Sequence, residues 1–220
     1  MELEDEHYSR EDVKREIAEF SRRRWVAVYC SDVGGGKPTF RRYTADKEPL
    51  TLSTPREVWS LYEGLRDLHP RAFYATALKY HRLDSKYDLL DPENLYACTP
   101  TWDIDNEPSM WEVTLKVAEV IVDELRLHGV SESVYLKWSG RGCHVHIHEG
   151  AISPELVSKL GALNIAYAVV EYICLKVAGR VSELAVRSGA SSLKVENKID
   201  PQRLFTCPVS YTHLTLPTKA

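Results

Sequence analysis

Apolar residues follow two rhythms along this chain, and the alternation between them predicts the order of its elements. Val13, Ile17, Ala18 and Phe20 recur at helical spacing behind Ser9 and Asp12, which read as a capping arrangement for a first helix. Trp25 to Cys30 has the β-branched and aromatic content of a buried strand, and the glycines at 34–36 turn it toward a second strand near Thr39 to Tyr43. Thr54, Pro55 and Glu57 announce the next helix, with Val58, Leu61, Leu65 and Leu68 on one face and His69-Pro70 at its end. A strand over Ala72 to Ala77 precedes the polar loop Asp84 to Asn94, and one strand is expected from Leu95 into Asp105. Ser109 and Glu112 read as a second capping box for a helix along Val113, Val117, Val120, Ile121 and Leu125, closed by Gly129. Val134 to Trp138 and Cys143 to His148 form strands around a Gly-rich turn, and Ser153-Pro154 opens an apolar helical stretch through Val177.

Strands and helices interleave without regular βαβ spacing, so the expected class is α+β, a mixed sheet covered by helices. The 220 residues, 44% apolar and 27% charged, suit one core with a small appendage. No run of about 18 apolar residues suggests a membrane span, and the acidic start MELEDEHYSRED is unlike a secretory signal, so a cytoplasmic protein is expected. The five cysteines are scattered without a C-x-x-C pair, which argues for reduced thiols and against a zinc ribbon. A formal charge of -4 gives no overall basic signature for nucleic acid, although Arg22 to Arg24 and Arg41-Arg42 are local runs that either face phosphate or are solvated surface.

Candidate chemistry begins at Asp103-Ile104-Asp105. Carboxylates at i and i+2 of a strand project from one sheet face about 6.5–7 Å apart, which suits shared hard cations such as Mg²⁺ or Mn²⁺. The structural alternative is a strand end at which Asp105 and Asn106 open a turn. Some 35 residues on, Ser139-Gly140-Arg141-Gly142-Cys143-His144 links two strands through glycines that permit close backbone approach. Its hydroxyl, guanidinium and amides suit phosphate; a plain hairpin with an incidental Arg is the other reading. His144, His146 and His148 share a strand face but span about 13 Å, too far for one zinc ion, which leaves His146 and His148 as partly buried or surface residues at the sheet margin.

Together TPTWDIDNEP and YLKWSGRGCHVHIH resemble the first two signature motifs of the archaeo-eukaryotic primase superfamily, most closely the archaeal small, catalytic primase subunit or a primase-like paralogue. REIAEF and PRAFYATALKY add to the likeness, which covers roughly residues 10–207. The resemblance implies a catalytic core of the primase or RNA-recognition type behind an N-terminal α/β module, the module over about 1–92 and the core over about 93–207. It implies template-directed primer synthesis from nucleoside triphosphates on single-stranded DNA, partnership with a primase large subunit, and two Mg²⁺ or Mn²⁺ ions. End-joining or repair-type polymerases of the same superfamily, and a silent nucleic-acid-binding paralogue, are the alternatives. By the same likeness Asp103 and Asp105 hold the metals, and Ser139, Arg141, Gly142, His144 and Arg203 contact the nucleotide. The third acidic ligand is Asp200 or, alternatively, Glu196, since the family's late aspartate falls where this chain has Lys194. The SGRGCH loop is one residue shorter than the family's usual spacing. The chain also departs from the family after this segment, and 208–220 read as foreign to the fold, His213 included.

Overall fold

The computed structural model describes residues 3–31 and 38–211. The helices are α1 (Leu3–Ser9), α2 (Glu11–Ser21), α3 (Pro55–Gly64), α4 (Trp111–Leu127), α5 (Pro154–Leu160) and α6 (Ala162–Ser188). The strands are β1 (Val26–Cys30), β2 (Thr39–Arg41), β3 (Pro70–Thr76), β4 (Leu78–Tyr80), β5 (Leu95–Cys98), β6 (Thr101–Asp105), β7 (Val134–Trp138), β8 (Gly142–Ile147), β9 (Lys194–Asn197) and β10 (Leu204–Thr206). The expected α+β class is the one observed. The glycines at 34–36 lie outside the described residues.

Two compact units divide the chain, Met1–Asn94 with Leu204–Ala220, and Leu95–Arg203. The boundary therefore falls two residues later than the 92/93 division drawn from the sequence, and the chain returns to its first unit at Leu204. There an antiparallel sheet runs in the order β10-β3-β1-β2. Tyr8, Val13, Ile17, Val58 and Tyr62 from the helices join Val26, Val28 and Phe73 from the strands in one buried cluster.

Local signals read in the sequence hold in some places and yield in others. Thr54 Oγ1 accepts from Glu57 N while the Glu57 carboxylate accepts from Ser53 N and Thr54 N, so α3 starts on a full capping box. Ser9 does not cap α2; its hydroxyl donates to Glu6 O at the end of α1, and Arg10 takes the cap position without a side-chain bond. The arginine runs are partly structural. Arg24 is buried and donates to Phe20 O, Thr76 O and Ala77 O, while the Arg42 guanidinium lies 3.6 Å from the centre of the Trp25 ring. Pro208 to Tyr211, expected to be foreign, are built into the first unit: Ser210 Oγ accepts from Phe73 N at 2.7 Å, and Tyr211 N donates to Tyr8 Oη at 3.0 Å.

The second unit carries an antiparallel sheet in the order β7-β8-β6-β9, with α4 and α6 packed on it. Trp102, Ile104, Val145 and Ile147 are buried with Val117, Ile121, Val170 and Ile173, and Trp102 Nε1 donates to Val170 O at 3.1 Å. The single strand expected from Leu95 to Asp105 is two, β5 and β6, parted at Thr99-Pro100 where proline removes a ladder donor. Ser109 is not a cap, because a 3₁₀ turn over Pro108–Met110 precedes α4. Gly161, at φ 82°, splits the last helical stretch, and α6 runs on to Ser188. By length and composition α6 is apolar enough to cross a membrane, a feature masked in the sequence by Glu171 and Lys176; here Ala166, Val170, Ile173 and Val177 bury its inner face within the unit. All five cysteines are free, and only Cys174 is not fully buried.

Candidate active site

The alternation of β6 sets up the site. Trp102 and Ile104 turn into the core, which leaves Thr101, Asp103 and Asp105 on the other sheet face. On one flank β8 pairs antiparallel with β6, so that His146 lies opposite Thr101, His144 opposite Asp103 and Gly142 opposite Asp105. On the other flank β9 places Glu196 opposite Asp103 and Lys194 opposite Asp105. Register alone thus brings Asp103, Asp105, His144 and Glu196 to one face from three separate stretches of sequence.

Asp103 is the buried centre of this face. His144 Nε2 stands 3.1 Å from its Oδ1, and both side chains are almost fully enclosed, at 4% and 7% exposure. Lys198 Nζ lies 2.9 Å from Asp103 Oδ2, 2.7 Å from Asp105 Oδ2 and 3.1 Å from Glu196 Oε2. Arg203 Nη2 donates to the same Asp103 Oδ2 at 3.0 Å. Burial by itself would push the Asp103 carboxyl up, but donors from His144 and Lys198 override it and hold the group well below the usual carboxylate range. Lys198 shows the converse: burial works against its charge, and bonds to Asp105, Asp103 and Glu196 raise it above an ordinary lysine. His144 is driven below its ordinary value chiefly by desolvation, so it is neutral at pH 7, with its Nε2 proton directed at Asp103.

The remaining expected residues occupy different settings. Gly142 is required by packing: a Cβ built there would stand 1.8 Å from Ile104 O, so β8 lies against β6 only because this residue has no side chain. Gly140 and Arg141 form the two-residue tip of the β7–β8 hairpin, where Gly140 takes the positive φ, 101°, that a turn with glycine first requires, and Ser139 N donates to Gly142 O at 2.9 Å. Arg141 is exposed there, and among the described residues neither it nor Ser139 joins the carboxylate cluster. Asp200, favoured over Glu196 as third acid, is not brought to the pair. Its Oδ1 accepts from Gln202 N at 2.7 Å in an exposed turn, whereas Glu196 reaches the cluster through Lys198. His146 is not at a margin but fully buried, with Nδ1 2.9 Å from Thr101 Oγ1 and its ring stacked on Tyr135. His148 is exposed and accepts from Gly150 N, capping a short 3₁₀ turn.

Lys198 was not singled out by sequence reasoning, because a lysine just past a short strand reads as solvated surface. Its signal is spacing: residues 194, 196 and 198 alternate opposite the D-x-D face. The two divalent ions expected there do not fit the arrangement as it stands. The point between the three carboxylates is taken by the Lys198 ammonium, and the two oxygens of Asp103 already receive three donors. Among the described residues no three His, Cys, Asp or Glu side chains are placed to hold a metal ion.

No protein-family model matches the sequence, and no curated protein matches it. Among solved structures the chain is similar to the polymerase domain of Ligase D from Mycobacterium tuberculosis, solved in complex with DNA, with a TM-score of 0.55 and 11% identity over 90% of this chain and 73% of that one. At that identity the likeness is one of fold. The chain has an α+β fold similar to that of this polymerase domain.

Proposed function

We propose that this chain is a divergent member of the archaeo-eukaryotic primase group whose motif face serves nucleotidyl transfer to a nucleic-acid strand. The observation that supports it is the meeting of Asp103, Asp105 and His144 on one sheet face, with the fold of a polymerase domain around them. In this reading a strand 3′-hydroxyl attacks the α-phosphate of a nucleoside triphosphate and pyrophosphate leaves. Arg141 and Ser139 at the hairpin tip offer donors to phosphate oxygens, and the Asp103 contact fixes the His144 ring. No step is assigned to a divalent ion. Single-stranded DNA is the proposed template, and a primase large subunit the proposed partner.

Incubating the purified chain with labelled nucleoside triphosphates on primed and unprimed templates tests the proposal and separates extension from initiation. Incorporation that disappears in Asp103→Ala is expected, whereas incorporation untouched by that change removes the site assignment. A second reading, a silent nucleic-acid-binding paralogue, is favoured by Lys198 within the carboxylate cluster and Lys194 across from Asp105. It predicts strand binding by the same preparation without any incorporation.

A further inference from the structure

We infer that Lys198 is the resident cation of the Asp103, Asp105 and Glu196 cluster, a tethered ammonium that holds the place a divalent ion would need, so that the two exclude one another. This deepens the reading of the same site but rests on its geometry and not on the proposed reaction. The ammonium lies within 3.1 Å of one oxygen from each of the three carboxylates, and its side chain is only 22% exposed. Its aim is set by the backbone on both sides. Asn197 Nδ2 donates to Tyr167 O and Glu171 Oε2 on α6, and Asn197 Oδ1 accepts from Ile199 N at 3.2 Å. Ile199 itself is buried, so the residue between them has its direction fixed toward the carboxylates.

Charge points the same way. The formal charges of the three carboxylates, Lys198 and Arg203 sum to a single net negative charge. That is a weak attraction for an ion that must also shed water. A tethered lysine competes at a high effective concentration, without the translational cost of a free ion.

Mn²⁺ binding to the full chain, read by electron paramagnetic resonance without nucleotide, tests the inference. Lys198→Gln and Lys198→Met are expected to bind Mn²⁺ roughly tenfold or more tighter than wild type, Lys198→Arg to stay at the wild-type level, and Lys198→Gln with Asp105→Asn to lose the gain. Equal affinity in wild type and the neutral variants overturns the inference, as does an equal gain in Lys198→Arg. If the neutral variants unfold, millimolar Mn²⁺ is expected to restore their folded circular dichroism, and failure to do so is equally fatal. A wild type that incorporates nucleotides and binds Mn²⁺ tightly through Asp103 removes this inference and leaves the proposed function standing. Tighter binding by the neutral variants, with no incorporation by any chain, does the reverse.

Discussion

At Gly142 a single hydrogen decides whether two strands meet. A methyl group in its place would approach Ile104 O to 1.8 Å, far inside contact distance, and the obstacle is backbone that cannot turn aside. Gly142→Ala is therefore expected to cost about 3 kcal/mol or more, seen as a lowered midpoint in urea unfolding with little change in slope. Its neighbours set the response to pH. His144 is held below its ordinary 6.5, so the unfolded chain binds the extra proton first, and stability falls as pH drops from about 6.5 toward the lowered folded value. Asp103 is held below its ordinary 3.8; its contribution is complete above that value and fades only as pH falls through the folded one. Lys198, raised above its ordinary 10.5, contributes fully below that value and loses its share only as pH climbs through the folded one. Unfolding measured from pH 4 to 7 should show a mildly acid loss that disappears in His144→Gln, and persistence of the whole loss in that variant would assign it elsewhere. The D-x-D pair and His144 were legible as chemistry because polar residues are costly in apolar strands. Lys198 was not, because its meaning depends on which strand lies beside it.

Among the elements, those with complete local signals were readable and those whose signals compete with tertiary structure were not. Thr54, Pro55 and Glu57 specify the start of α3 without help, and β7 spans the stretch read as a strand before the Gly-rich turn, Val134 to Trp138. Ser109 and Glu112 have the spacing of a box, but Pro108 begins a 3₁₀ turn that consumes Ser109 before α4 can use it. The segment after Cys207 is the larger surprise, since its composition gave no reason to place it in a core. Ser210 Oγ nevertheless accepts the Phe73 amide and lies 3.3 Å from the Tyr8 hydroxyl, in a buried position. Ser210→Ala leaves that amide without its acceptor and should cost about 1–3 kcal/mol in thermal unfolding. Full-length stability in Ser210→Ala would mean that the segment is only resting on the sheet edge.

For the whole molecule, the strand order β7-β8-β6-β9 carries the functional reading, and no local pattern announces it. The sequence supplied two motifs and a resemblance; only pairing puts His144 and Glu196 on opposite sides of Asp103. The same scale governs how a chain with net charge -4 would hold a nucleic-acid strand. Lys198 and Arg203 are engaged by carboxylates, Arg24 is buried, and the exposed cations that the motif-bearing strands offer are Arg141 and Lys194. Because each phosphate neutralised on a single strand contributes a slope of about −0.7 to log K against log salt, two contacts predict a shallow slope near −1.4. Fluorescence anisotropy with a single-stranded oligonucleotide across a salt series checks this, and Arg141→Ala with Lys194→Ala should flatten the slope nearly to zero. A steep slope that survives both changes would place the strand on the basic residues of the first unit, and the motif face would then lose its part in holding nucleic acid.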